Sequence, residues 1–281
     1  MKKSLVVKVI TLALIVCALT SLALAATACS NKDDPYTIVI GASPTPHAEI
    51  LKDVVADILK EQGYTLKVRE YNDYVLPNTA VESGELDANY FQHKLYLSDF
   101  NAQRGTHLVA VADVHYEPFG AYVGGKATGL TSLADLPEGA IVSIPNDGTN
   151  EARALYLLAQ SGLITLKDGV TTTATKLDIV SNPKNLVFRE LEAAQLPKSL
   201  PDVHVAVING NYALAGGLTI ANAIAAERSD AEGVDNYINV IAVKEGNQDK
   251  PKIKALAEAL KSDAVREYII NKYSGAVKPV Q

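Results

Sequence analysis

Residues 37–70, TIVIGASPTPHAEILKDVVADILKEQGYTLKVRE, decide the architecture. Thr37–Ile40 is a continuous apolar run, the pattern of a strand buried inside a parallel sheet. Ile50, Leu51, Val54, Val55, Ile58 and Leu59 then recur at the helical period, which predicts a helix over Ala48–Gln62 ended by Gly63. Leu66–Glu70 reads as the next strand. The alternation continues with a short helix at Leu76–Glu82, a strand at Leu86–Asn89, a helix over Gln92–Gln103 and a strand at His107–Val114. This order implies an α/β fold on an open parallel sheet with right-handed crossovers.

A second unit follows. Phe119–Val123, Ala140–Ile144, Leu186–Glu190 and Val203–Ile208 read as strands, and Asn150–Gln160 as a helix stopped at Gly162. Tyr237–Val243 is again a strand, followed by helices near Pro251–Lys261 and Asp263–Tyr273. The simplest layout is two α/β lobes. Lobe 1 takes residues 36–116 and regains the chain at 237–281; lobe 2 is the insert 117–236. Two chain crossings then form a hinge that lets the lobes close on a ligand.

The densest chemistry lies in residues 72–97, NDYVLPNTAVESGELDANYFQHKLYL. Aromatic residues make up only 6% of the chain, yet Tyr74, Tyr90, Phe91 and Tyr96 fall here beside His93. No nucleophile motif accompanies them, so the cluster reads as the wall of a small-molecule pocket. Any one of these rings taken alone reads as core.

Met1, Lys2, Lys3 and Lys8 form a basic start to an apolar run from Leu5 through Ala26, which ends in the small residues Ala26-Thr27-Ala28. This is the layout of a secretory signal over 1–28. An uncleaved anchor is the competing reading, since the run is long enough to span a bilayer. Cys29 follows at once and resembles the lipid-bearing cysteine of bacterial lipoproteins, with Ala26 where those proteins usually carry Leu. Ala26-Thr27-Ala28 equally suits an ordinary signal peptidase. Residues 29–35 read as a polar tether. Removal of 1–28 leaves 253 residues with a net charge of −9. So acidic a chain fits a phosphate backbone poorly, which excludes nucleic acid as the partner. The other cysteine, Cys17, lies in the leader, so the mature chain forms no internal disulfide.

His47, His107, His115 and His204 are scattered, without HxH or HExxH spacing, which argues against a metal-capturing protein. No G-x-S-x-G, Walker A or GxGxxG sequence occurs, so hydrolase, nucleotidase and dinucleotide readings lack a motif and no cofactor is expected.

Together, NDYVLPN…DANYFQHKLYL, IPNDGTNEARALYLL, NPKNL and AVINGNYA resemble the methionine-binding lipoprotein (NlpA) family from about Tyr36 to the C-terminus. The resemblance implies a two-lobed periplasmic-binding-protein fold and ligand capture in the cleft. It also implies delivery to an ABC permease with its ATPase, from a lipid anchor on the extracytoplasmic face of the membrane. L-methionine is the ligand it implies first; D-methionine and a methionine dipeptide are the alternatives. An exported enzyme or surface interaction protein on the same scaffold is the other class, and His93 would be its only good general base.

Arg153 would hold the ligand carboxylate by this resemblance. Its own signal is a cation in the opening turn of a helix, against the dipole, with Glu151 unable to face it. Taken alone it is an ordinary surface arginine. Asn239 interrupts an apolar strand, which suits either the amino-acid head group or a structural hydrogen bond at the hinge. Asn209 follows a strand's carboxyl end, where ligands collect, but Asn209-Gly210 is also a common turn pair. Tyr74, Phe91, His93 and Tyr96 match positions that line the thioether pocket in relatives. Phe91 and His93 share a face only if that stretch is extended, whereas His93 and Tyr96 suit a helix start.

Overall fold

The computed structural model describes residues 34–170, 172–228 and 233–280; the leader and the lipidation candidate Cys29 lie outside them. Thirteen strands are placed among the described residues: β1 (Thr37–Ala42), β2 (Thr65–Glu70), β3 (Ala88–His93), β4 (Leu108–Tyr116), β5 (Gly120–Val123), β6 (Ile141–Pro145), β7 (Thr165–Leu166), β8 (Ile179–Ser181), β9 (Val187–Leu191), β10 (Val205–Ile208), β11 (Ala223–Ala226), β12 (Ile238–Lys244) and β13 (Lys278–Pro279). One sheet runs β13-β4-β12-β3-β1-β2, a second runs β11-β5-β10-β6-β9, and β7 and β8 form a small ribbon. The chain passes between the two large sheets at residues 117–119 and again after Ala226, so the fold is two-lobed with hinge crossings.

The sheets are mixed, not parallel throughout as the strand–helix alternation predicts. β1 pairs in parallel with β2 and β3, but β12 lies antiparallel to both β3 and β4. In the second sheet β10 is parallel to β6 and antiparallel to β5. The crossings cause this. A strand that returns from the other lobe enters without a crossover helix and is free to run against its neighbours. β12 is buried along nearly its whole length, which is why YINVIAV is apolar apart from Asn239.

Each sheet builds its own core. Ile38 and Ile40 of β1 pack with Leu51, Val55 and Leu59 from the following helical segment and with Ile253 and Leu256 from the Pro251–Leu260 helix. Val142, Ile144, Val205 and Val207 pack under Leu155 and Leu158 of the Gly148–Gln160 helix. The first helical segment opens earlier than its apolar period predicts. A kinked turn at Pro44–Ala48, with Thr45 extended, and a π-helical turn at Leu51–Val55 lead into the helix Ala56–Glu61. Pro44 and Pro46 lack N–H donors and fit only an opening turn, and this entry carries His47 fully into the interior.

Two further boundaries move, and both serve the cavity. β3 extends through His93, and the helix Lys94–Arg104 begins one residue later, with His93 as its cap. The helix predicted from Asn150 begins at Gly148, capped by Asp147, whose side chain accepts from the Asn150 N–H.

Candidate ligand-binding site

The seven residues singled out from sequence as ligand-binding (Tyr74, Phe91, His93, Tyr96, Arg153, Asn209 and Asn239) line one cavity between the two sheets. Glu117, Asn150 and Asn211 line it with them. A larger open groove runs along β4 beside Lys261–Asp263, and none of the seven reaches it.

One side of the cavity is aromatic and comes mostly from β3 and the helix after it. Phe91 and His93 are two apart on an extended strand and so share a face. His93 then turns the chain: its Nδ1 accepts the Tyr96 N–H at 3.0 Å, which brings Tyr96 in from the first helical turn. Both readings of this stretch therefore hold at once. Tyr74 closes the group, with ring centroids 5.6 Å from both Phe91 and Tyr96 and 5.0 Å from Tyr212. The Tyr96 hydroxyl donates to the Tyr74 carbonyl at 3.0 Å, and the Tyr74 hydroxyl to Asn211 Oδ1 at 2.6 Å. Burial raises the pKa values of both tyrosines, so their hydroxyls remain donors.

His93 Nε2 faces Asn150 Oδ1 at 3.2 Å, and an amide oxygen only accepts, so the proton sits on Nε2. Burial, then the positive charge of Arg153, lowers the His93 pKa to about 3. Its Nδ1 lone pair is engaged by the backbone. A neutral imidazole so committed is a poor general base, which removes the one candidate for the enzymatic reading.

The opposite side is polar and dispersed in sequence. Arg153 is 4% exposed and lies in the second turn of its helix, because that helix starts at Gly148. The dipole argument weakens accordingly, since the effect fades beyond the first turn. Arg153 is also not uncompensated. Nε donates to Glu227 Oε1 at 2.8 Å, and Nη2 donates to Glu227 Oε2 at 2.6 Å and to the Glu117 carbonyl at 2.9 Å. A guanidinium has five N–H donors; these bonds take three, and Nη1 carries the other two. The Glu227 charge raises the Arg153 pKa against the effect of burial. The Tyr237 ring lies 4.2 Å from the guanidinium carbon.

Asn209 is a helix cap position, not part of a turn pair: Gly210 opens the helix Gly210–Ala215. Glycine is required there, since a Cβ on Gly210 would stand 2.7 Å from Glu117 Cβ. Asn209 Nδ2 donates to Asn150 Oδ1 at 2.8 Å, while its buried Oδ1 has no hydrogen-bond partner among the described residues. Such an orphaned acceptor calls for a donor from outside the chain.

Behind this face lies a buried network. Asn239 Oδ1 accepts from His47 Nε2 at 3.0 Å, and Glu117 Oε1 accepts from His115 Nε2 at 2.7 Å. The Tyr90 hydroxyl bonds His115 Nδ1. Burial lowers His47 to about 4, partly offset by Glu117, and lowers His115 to about 3. Burial raises the Glu117 carboxyl, and His47 opposes the shift. The fold thus gathers two histidines that the sequence scatters. The donor atoms of His47, His115 and Glu117 lie within 4.8 Å of one another, the spacing of a possible metal site. As they stand they are spent on hydrogen bonds. Ligands of a tetrahedral zinc ion sit about 3.3 Å apart, and the His115–Glu117 separation is 2.7 Å.

Gln92, Glu117, Asn150, Gly210 and Asn211 are the lining residues that sequence reasoning did not single out. Asn150 and Asn211 lie inside IPNDGTNEARALYLL and AVINGNYA, so their motifs carried a signal. Glu117 sits in the first crossing, where nothing local marks an acid for burial.

Comparison with known proteins follows the same lines. The family model described as NlpA lipoprotein matches residues 38–281. The methionine-binding lipoprotein MetQ of Bacillus subtilis is 41% identical over 249 residues, covering 86% of this chain and 88% of that one. The D-methionine-binding lipoprotein MetQ of Escherichia coli O157:H7 is 42% identical over 265 residues, covering 92% of this chain and 93% of its own. Among solved structures, a nutrient binding protein from Burkholderia cenocepacia bound to methionine superposes with a TM-score of 0.81 at 43% identity, over 87% of this chain and 100% of that one. The chain belongs to the NlpA lipoprotein family.

Proposed function

We propose that this chain is the extracytoplasmic binding lipoprotein of an ABC importer, that it captures methionine between its lobes, and that it hands the amino acid to a membrane permease driven by an ATPase. The observation that carries the reading is the two-sided cavity. An aromatic cage stands opposite a cation and an orphaned acceptor, which is the complement of a thioether zwitterion. Arg153 Nη1 takes the ligand carboxylate. Glu117, Asn209 Oδ1 and Asn239 supply acceptors for the ammonium. Tyr74, Phe91, His93 and Tyr96 surround the thioether, whose contacts with aromatic edges contribute roughly 0.3–1.5 kcal/mol each.

The lobes in this reading are residues 36–116 with 237–281, and 117–236. Cys29 carries the lipid that holds the receptor at the membrane, and Cys29→Ala releases it. D-methionine is the second reading, favoured by the name of the Escherichia coli relative.

Calorimetry on protein stripped of ligand tests the assignment. Methionine should bind, norleucine modestly less well, and alanine far less well, since each methylene-sized contact contributes roughly 1–3 kcal/mol. Equal affinity for alanine and methionine would remove the thioether pocket. The two enantiomers titrated side by side decide the stereochemistry.

A further inference from the structure

Arg153 is held from behind as firmly as from below. Glu227 Oε1 accepts from Arg153 Nε at 2.8 Å, and Oε2 accepts from Arg153 Nη2 at 2.6 Å, from the Tyr116 hydroxyl at 2.9 Å and from the Phe119 N–H at 3.0 Å. Three donors thus meet on one carboxylate oxygen. Tyr116 ends β4, Phe119 lies in the first crossing, and Glu227 follows β11 at the start of the second. The Glu227 N–H closes the frame by donating to the Phe119 carbonyl at 2.9 Å. The pair is nearly buried, with side chains 4% and 14% exposed. The Phe119 ring stands 4.9 Å from the guanidinium carbon.

We infer that Glu227 is a positioning residue for the ligand carboxylate, acting through Arg153. Its two oxygens occupy the Nε–Nη2 edge of the guanidinium. That fixes the plane of the fork and leaves Nη1 as the contact offered to the ligand. An arginine without this brace would have to give up its rotamer freedom on binding. With the Glu117 carbonyl taking the second Nη2 proton, the contact runs through one nitrogen rather than a two-pronged clasp. The inference rests on the proposed role of Arg153 as carboxylate reader.

The test compares L-methionine with its methyl ester on ligand-stripped wild type, Glu227→Gln and Glu227→Asp. Glu227→Gln keeps the shape but removes the charge and half of the acceptor capacity. Methionine affinity should fall at least about tenfold, while ester affinity should change little, so the acid-to-ester ratio collapses. Glu227→Asp retains the charge one methylene short and should fall between, which keeps the test alive if the glutamine variant folds poorly. A merely structural role would weaken acid and ester alike, and that result, or an unchanged ratio in both variants, overturns the inference. The wild type separates the two claims. If it binds acid and ester equally, Arg153 reads no carboxylate; if it prefers the acid and the variants keep that preference, only the role of Glu227 falls.

Discussion

The two sides of the cavity are built in opposite ways. Its aromatic side comes from residues 74–96, a single run in which strand, cap and helix follow one another. Its polar side draws on residue 117, on 150–153, on 209–211 and on 239, with His47 and His115 behind them. The first needs only local geometry to assemble, whereas the second exists only when both crossings and both sheets are in place. Under the proposed assignment, specificity for the side chain would be written locally, while recognition of the head group would be tied to the integrity of the hinge.

Arg153→Ala strikes this difference hardest. An arginine reserved for ligand would leave the empty protein's stability untouched. Here its removal strands Glu227, 14% exposed, beside the hinge. Breaking a buried pair costs about 3–5 kcal/mol of stability, and the affinity loss comes on top, about 2–5 kcal/mol for a desolvated charge contact. Urea unfolding of ligand-free protein should show a clearly lower midpoint. A midpoint equal to wild type would mean that the polar side is independent of the hinge.

Acid should act next. His47, His93 and His115 are held neutral, with folded values of about 4, 3 and 3 against 6.5 when unfolded. The unfolded chain binds their protons first, so stability is complete above pH 6.5 and is lost as pH falls from there, to about 4 for His47 and about 3 for His93 and His115. At pH 5 each costs about 2 kcal/mol, at 1.36 kcal/mol per pKa unit. Glu117 acts in the opposite sense, since its raised value favours protonation in the folded state and returns part of the loss. Denaturation of ligand-free protein at pH 7.5 and 5 measures the sum. Two of the three histidines lie behind the polar side, so His115→Gln should flatten the slope by about one proton. A stability unchanged between the two pH values would contradict the buried neutral network.

Legibility in the sequence follows the same division. The strand–helix order of 37–114 and the aromatic cluster are readable because periodicity and composition are local properties. The mixed sheet is not, because β12 owes its antiparallel direction to a return across the hinge. His47 and His115 are 68 positions apart and share no motif, so their convergence is a tertiary fact. Arg153 is found by an argument that the structure corrects. The helix start lies at Gly148, which moves the arginine to the second turn, and its countercharge sits 74 residues away.

The smallest effect lies where the two sides meet. Tyr74, on the aromatic side, donates to Asn211 Oδ1 at 2.6 Å, and Tyr212, beside Asn211, donates back to the Asn72 carbonyl at 3.1 Å. These crossed bonds span the lobes, with the two rings 5.0 Å apart. On the proposed closing of the lobes over a ligand, both bonds would have to break for the cleft to open. Tyr212→Phe deletes one hydroxyl and keeps the ring, so it should remove a single net hydrogen bond of about 0.5–1.5 kcal/mol from the closed state. An open form would lack this contact, so encounter with methionine should be unaffected. The change should therefore appear as faster release, up to about tenfold, with association nearly constant. Stopped-flow association and displacement measure the two rates separately. Equal slowing of association would place Tyr212 on the path into the cleft. An unchanged release rate would mean that the cleft is kept shut by the ligand's own contacts with the two sides, and that the crossed tyrosines only fill the mouth.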